Sequence, residues 1–204
     1  MSRNLAPKGK IVRRLGINIF GNPKYDRLLE RKPTPPGEMK KRRPRISEYG
    51  KQLSEKQKIR FAYGLSEKQF RIVFANAKKM KGVTGDNMLS LLERRLDNIV
   101  YRLGMASTRS QARQIVNHGH IRVNDRKVTI ASYLTKANDT INVKDKESSR
   151  KLLQTFISNN INREVPEWLT LSKVDMTGTV NRLPEKADII SVGDEQLVVE
   201  FYSK

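Results

Sequence analysis

The chain has 204 residues, with 41 Lys and Arg against 21 Asp and Glu, and a net charge of +20 at pH 7. Like charge of this size opposes compaction, so the composition favours a polyanionic partner, first a nucleic acid in the cytosol and second an anionic membrane surface. The absence of cysteine excludes disulfides and thiolate metal sites. No apolar run of about 18 residues predicts a membrane span, and no short apolar leader predicts secretion.

The positive charge is concentrated in the first two-thirds of the chain. Residues 1–60 hold 18 basic and 5 acidic residues, residues 61–136 hold 14 and 5, and residues 137–204 hold 9 and 11. We therefore expect the ligand to bind residues 1–136 and the last third to act as scaffold.

Residues 1–45 show little periodicity and predict a basic, extended N-terminal arm. The stretch from Arg31 to Arg45 has four prolines and seven Lys or Arg among fifteen residues. Proline lacks a backbone donor and disfavours helix at the residue before it. The stretch is predicted to be mobile and to order on its partner, and a solvated linker is the alternative.

Residues 46–103 have a helical pattern. One helix is predicted to begin at Ser54 and end at Gly64, and a second begins at Ser66, which has Gln69 at the capping-box spacing. An apolar stripe then predicts one long helix from about residue 87 to residue 103.

From Thr108 the pattern predicts a short helix, which Gly119 ends, followed by a hairpin. Asn124 and Asp125 form the turn signal between alternating residues. Beyond the hairpin, strands are predicted near residues 140–145, 168–174 and 196–202, and a helix over residues 147–160.

The two helices and the hairpin bring basic and small polar residues onto one surface. Arginine holds two phosphate oxygens with its planar fork, and a helix start offers free amides, so this surface fits the backbone and 2′-hydroxyls of duplex RNA. The alternative is a set of solvated helix faces. The candidate residues here are Arg94, Arg95, Arg102, Thr108, Arg109, Ser110, Arg113, Gln114, Asn117, His118 and Arg122. Further candidates before this region are Arg3, Lys8, Lys10, Arg13, Arg14, Lys51, Lys56 and Lys58.

Several other residues give weaker indications of function than this basic surface does. His118 and His120 are too few ligands for a metal site without a nearby carboxylate cluster, and we predict no metal and no cofactor. Asp97 is expected on a helix flank as the partner of an arginine. Tyr101 fits either stacking on a base or half-buried packing between the helices.

The stretch "LLERRLDNIVYRLGMASTRSQARQIVNHGHIRVNDRKV" closely resembles the S4-type RNA-binding module. The stretches "RPRISEYGKQLSEKQK", "YGLSEKQFR", "EWLTL" and "LVVEFYSK" extend the resemblance to the S4 family of small-subunit ribosomal proteins over nearly the whole chain.

This resemblance implies an α+β fold with three parts. They are a basic N-terminal extension over residues 1–45, a helical lobe over residues 46–93 joined by residues 196–204, and an RNA-binding lobe over residues 94–195. The core of the last lobe, about residues 94–157, is two helices packed on a small antiparallel sheet.

For function, the resemblance implies a non-enzymatic constituent of the small ribosomal subunit. Such a protein binds ribosomal RNA directly and early in assembly, beside neighbouring small-subunit proteins. The basic cluster Arg42, Arg43 and Arg45 matches residues that the family places near the channel by which messenger RNA enters, with a role in decoding accuracy. Some members have an N-terminal zinc-binding cysteine cluster, which this chain lacks.

Two other classes of protein share parts of these patterns. An RNA-modifying enzyme can carry the same module, but residues 137–204 are too few for a catalytic domain and hold no carboxylate constellation. A DNA-binding helix-turn-helix protein also has two helices joined near a glycine.

Overall fold

A computed structural model describes residues 6–37, 46–160 and 163–203. The chain divides into two compact units, one of residues 1–85 with residues 191–204 and the other of residues 86–190. The fold is α+β, as predicted. The three-part division at residues 45 and 93 stays a prediction.

Helices account for most of the regular structure in the described residues. In chain order they are α1 (Lys8–Leu15), α2 (Pro23–Arg31), α3 (Glu48–Ala62), α4 (Glu67–Lys79), α5 (Thr84–Glu93), α6 (Leu96–Arg102), α7 (Arg109–Asn117), α8 (Glu147–Asn159) and α9 (Glu195–Ser203).

Strands of the unit formed by residues 86–190 build an antiparallel sheet in the order β2-β1-β3-β5-β4. They are β1 (Ile121–Val123), β2 (Arg126–Lys127), β3 (Thr140–Val143), β4 (Leu169–Ser172) and β5 (Thr177–Val180). The predictions of α8, β1, β3 and β4 are confirmed, whereas β5 was not predicted.

The expectation of an extended arm is corrected by α1 and α2. Ile11 and Val12 are buried, and Gly16 ends α1 in the left-handed region with φ of 73°. Asn22 caps α2 by accepting a hydrogen bond from the Lys24 amide, directly before a proline that suits the first helical position. The signals that begin and end these two helices are local, so the helices form although the apolar periodicity over the whole arm is weak.

The start of α3 was predicted wrongly. Ser47 caps the helix, its hydroxyl accepting from the Gly50 amide at 3.2 Å, so Ser54 lies inside it. The capping box of α4 is confirmed, because Ser66 and Gln69 each accept a hydrogen bond from the backbone amide of the other.

The predicted strand over residues 196–202 is wrong, because this segment forms α9. Asp194 accepts hydrogen bonds from the amides of Gln196 and Leu197 and so caps the helix. Val198 is fully buried, and the Tyr202 ring lies 4.7 Å from that of Phe74. Packing against α3 and α4 therefore overrides the strand preference of a segment rich in Val, Phe and Tyr.

The single long helix predicted over residues 87–103 is also wrong. Arg95 is extended, with ψ of 135°, and pairs with Leu134 in an isolated β-bridge. The amides of Leu96 and Asp97 donate to the carbonyls of Tyr133 and Ala131. A segment more than 30 residues away thus supplies the partners that a continuous helix would supply locally.

The apolar faces of α6, α7 and α8 pack on the sheet around Trp168, which is 1% exposed. The hairpin turn is confirmed, since Asn124 and Asp125 have φ of 48° and 61°, as a two-residue turn of this kind requires. The resulting register sets Arg122 opposite Lys127 and fixes both on the same side of the sheet.

Candidate nucleic-acid interface

Two buried carboxylates hold the arginines of the predicted basic face. Asp97 is 3% exposed and Glu93 is 1% exposed. A buried carboxylate needs paired cations and hydrogen bonds to offset its lost hydration. Both carboxylates obtain their paired cations from predicted site residues, so each carboxylate holds one part of the face.

Asp97 pairs with two arginines, as expected of this residue. Arg95 donates through Nε and Nη2 to its two carboxylate oxygens at 3.1 and 3.0 Å. Arg113, from α7, donates through Nη2 and Nε to Oδ2 at 2.6 and 2.8 Å. Asp97 therefore joins the start of α6 to the middle of α7 and fixes the Arg113 guanidinium.

Glu93 holds a second pair of side chains. Arg102 donates to its two oxygens at 2.7 and 3.0 Å, and the Asn98 amide donates to Oε2 at 2.7 Å. The Asn98 carbonyl oxygen then accepts from Arg109 Nε at 2.8 Å. A chain of hydrogen bonds thus runs from the end of α5 to the first residue of α7.

Tyr101 is half-buried, and two guanidinium groups lie over its ring. The Arg109 and Arg163 guanidinium carbons are 4.6 and 4.3 Å from the ring centroid. Arg163 also donates to the carbonyls of Tyr101 and Ala106 at 3.0 and 2.8 Å. Packing of the ring, one of the two predicted roles of Tyr101, is what the structure shows.

The start of α7 is capped as predicted. The Thr108 hydroxyl accepts from the Gln111 amide at 3.2 Å. The Gln111 side chain accepts from the Ser107 amide at 2.8 Å, one residue earlier than in a capping box. Arg109 therefore sits in the first turn, where the helix dipole is positive.

The remaining predicted residues of this face differ in exposure. Ser110, Gln114 and His118 are exposed, whereas Asn117 and Arg122 are half-buried. Arg94 is half-buried, and its Nε donates to the Thr135 carbonyl at 3.0 Å. Arg95 is only 4% exposed, so burial removes it from the surface.

Sequence reasoning missed the exposed residues Arg126 and Lys127 on β2, and also Arg163. The two-residue turn already sets Lys127 across from Arg122, so the hairpin register was a usable signal. Arg163 is 62 residues from its partner Tyr101, and no local pattern reveals it.

His120 is not a permanent cation on this face. Its Nδ1 lies 2.9 Å from the hydroxyl of the buried Ser149. Burial lowers the pKa of His120, and the nearby charges of His118, Lys144 and Lys146 lower it further. The neutral imidazole is therefore favoured at pH 7.

Predicted residues of the other unit also divide by their contacts. Lys10, Arg14 and Lys51 are exposed, and the Lys8 ammonium is 5.3 Å from the Phe20 ring centroid. Three of these residues have polar protein partners: Lys51 pairs with Glu48 at 3.4 Å, Lys58 pairs with Glu55 at 2.6 Å, and Arg13 donates to the carbonyls of residues 34 and 35.

Lys56 is 5% exposed, and its ammonium lies 2.9 Å from Glu67 and 4.4 Å from the Phe201 ring centroid. Burial alone would raise the pKa of Glu67, but hydrogen bonds from Lys56 and Tyr202 outweigh it and lower that pKa. The charge of Lys56 is thus balanced inside the protein.

The predicted residues Arg3, Arg42, Arg43 and Arg45 lie outside the described residues. Among the residues that are described, no group of three or more His, Asp and Glu side chains is arranged to hold a metal ion. No helix in the described ranges has the length and apolar character needed to cross a bilayer.

A capped two-helix platform with a hairpin, presenting fixed arginines in a strongly basic chain, is typical of a nucleic-acid-binding protein. Residues 3–93 match the family model described as Ribosomal protein S4/S9 N-terminal domain, and residues 94–141 match the S4 domain.

Full-length relatives agree with these matches, and each has the name small ribosomal subunit protein uS4. Those of Borreliella burgdorferi (strain ZS7) and Borrelia hermsii are 52% and 50% identical over 206 residues, covering 100% of this chain and 99% of each relative. That of Treponema denticola is 50% identical over 200 residues, covering 97% of both.

The chain belongs to the uS4 family of small ribosomal subunit proteins. Membership confirms the resemblance drawn from the sequence motifs. It also confirms the prediction of a ribosomal protein with an RNA-binding module, and not an enzyme.

Proposed function

We propose that this protein is a structural constituent of the small ribosomal subunit that binds ribosomal RNA directly and helps to nucleate assembly. The observation that carries the proposal is the set of arginines held by Asp97 and Glu93 on α6 and α7. Fixed guanidinium groups lose little conformational entropy on binding phosphate, so they suit a folded RNA backbone.

The RNA-contacting residues of this proposal are those at or near the surface of each unit. In one unit they are Arg102, Thr108, Arg109, Ser110, Arg113, Gln114, Asn117, His118 and Arg122, with Arg126 and Lys127 added. In the other they are Lys8, Lys10, Arg13, Arg14, Lys51 and Lys58. Arg3, which lies outside the described residues, is proposed on its charge alone. Arg94, Arg95 and Lys56 act within the protein instead, by positioning backbone and side chains.

The salt dependence of binding tests this proposal. Small-subunit ribosomal RNA is titrated with the full chain in a filter-binding assay, with duplex DNA as competitor. Roughly 6–10 phosphate contacts predict a loss of affinity of about 10³ to 10⁵ between 50 and 200 mM salt. A flat salt response, or preference for duplex DNA, would contradict ribosomal RNA binding.

The proposal has a finer part: the protein lies beside neighbouring small-subunit proteins near the channel by which messenger RNA enters and contributes to decoding accuracy. Its support is the density of charge at Arg42, Arg43 and Arg45, together with the family to which the chain belongs. Such a cluster grips a single strand through its phosphates without reading its sequence.

A matched pair of triple variants tests this finer part in reconstituted subunits. Replacing Arg42, Arg43 and Arg45 with Ala is expected to slow translation through a messenger hairpin and to weaken crosslinking of the incoming messenger. The control replaces Lys24, Arg27 and Arg31 of α2, which removes the same charge from another place. Equal effects of the two variants would refute a specific role of the cluster.

A further inference from the structure

A cleft of about 600 Å³ lies between α1 and α3, within a single unit. From α1 it is lined by Lys10, Ile11, Arg14 and Leu15, which share one helix face. From α3 it is lined by residues that include Leu53 and Phe61, spaced eight apart and so also on one face.

The α3 helix has two faces with different surroundings. On one face, Gln52 donates to Glu200 of α9 at 2.9 Å, and Ile59 is fully buried. On the cleft face, Leu53 and Phe61 are only half-buried. Protein therefore covers the first face and leaves apolar surface open on the second.

The cleft combines this apolar surface with positive charge. Lys10 and Arg14 are exposed at it, and the Arg60 guanidinium carbon lies 4.3 Å from the Phe61 ring centroid. Among the described residues that line the cleft, none is acidic. A purely apolar ligand would make no favourable contact with these cations, and an inorganic anion would make none with the apolar residues of the cleft.

We infer that this cleft receives one unstacked nucleotide of the bound RNA, with its base against Leu53 and Phe61 and its phosphate beside Lys10 and Arg14. Unpaired bases of structured RNA bind in this way, by stacking on aromatic rings and arginine planes. The inference rests on the proposed RNA-binding function and adds to it a site that accepts a base rather than only phosphates.

Filling the cleft tests the inference. The variant Leu53→Trp adds apolar bulk without changing charge and is expected to weaken binding of small-subunit ribosomal RNA about tenfold, the effect of losing one stacked base. The salt slope should stay the same, because no phosphate contact is lost. The control Ile72→Trp adds the same bulk on α4, where Ile72 is 52% exposed outside the cleft, and should bind as the unaltered chain does.

The results separate the site from the general function. Unaltered affinity of a folded Leu53→Trp chain overturns the cleft site and leaves the RNA-binding proposal standing. If the unaltered chain shows no salt-dependent RNA binding, that result contradicts the proposed function itself.

A second variant detects the base directly, and it tests the inference even when Leu53→Trp does not fold. Phe61→Trp places an indole in the cleft, while the chain's own Trp168 is buried and serves as background. Stacking is expected to lower the added emission when RNA is titrated, but not when inorganic polyphosphate is. Emission that is unchanged by RNA, or lowered equally by polyphosphate, overturns the inference.

Discussion

At the scale of single residues, Asp97 decides the geometry of the basic face. Its carboxylate accepts hydrogen bonds from Arg95, which is almost fully buried, and from Arg113, which reaches the surface. The same anion therefore stabilises the protein and orients a group that is proposed to contact phosphate.

Replacing Asp97 with Asn tests this double role. The change leaves the buried Arg95 guanidinium without an anion, so the free energy of unfolding should fall by about 3–5 kcal/mol. Urea denaturation followed by circular dichroism measures it. Asp145→Asn is the control, because its pair with Arg150 is exposed and should contribute almost nothing. A loss no larger than that of the control would contradict the structural role.

The sequence pattern predicted most of the residues of this face, but it did not predict which of them are buried. Arg95 and Asp97 are two residues apart, a spacing at which side chains of a continuous helix do not meet. They meet because the chain leaves the helix at Arg95. Likewise, nothing local to Lys56 shows that Glu67 and α9 cover it.

At the scale of elements, α9 is joined to α3 and α4 through Glu67. Its carboxylate accepts hydrogen bonds from the Lys56 ammonium and from the Tyr202 hydroxyl, at 2.9 and 2.8 Å. Burial and the nearby Glu67 raise the pKa of Tyr202, so the phenol keeps its proton and donates at all physiological pH values.

This contact predicts acid sensitivity. Because the pKa of Glu67 is lowered in the folded chain, its contribution is fully present above the ordinary value of 4.5 and is lost as pH falls through the lowered value. The difference in unfolding free energy between the unaltered chain and Glu67→Gln should therefore be constant above about pH 4.5 and shrink below it.

The control for this prediction is Glu147→Gln, which removes an exposed carboxylate paired with Lys151. Its effect on unfolding should be small at every pH, as expected of a surface pair. A difference for Glu67→Gln that grows as the solution becomes more acid would contradict the lowered pKa.

The elements that sequence predicted well have local signals. The capping box at Ser66, the cap at Thr108 and the turn at Asn124 and Asp125 depend on residues within a few positions of one another. The elements that it predicted wrongly depend on distant partners. Leu134 interrupts the helix at Arg95, and packing on α3 makes α9 helical.

At the scale of the whole molecule, each of the two compact units has buried apolar residues of its own. Among the described residues, the core cluster around Trp168 is formed by residues between Leu96 and Val180. Ile11, Val12 and Ile19 are buried in the unit that contains α1. We therefore expect a change to residues 1–37 to alter the stability of the unit that contains α1 and to leave the stability of the other unit nearly unchanged.

Deleting residues 1–37 tests that expectation. Trp168 is the single tryptophan, so its fluorescence follows one unit alone. Its thermal midpoint should stay within a few degrees, while helical content falls and the salt slope of RNA binding becomes shallower because cations are lost. A large shift of the Trp168 midpoint would refute this expectation.

The backbone pairing of Arg94 and Arg95 with residues 133–135 has one more consequence. Paired backbones lie about 5 Å apart, so the chain that carries α6, α7 and the hairpin departs and returns at nearly one point. The pairing therefore closes α6, α7 and the hairpin into one loop with a fixed base. Its apolar side still depends on β3, α8 and Trp168, so the loop and the rest of the sheet form one folding unit.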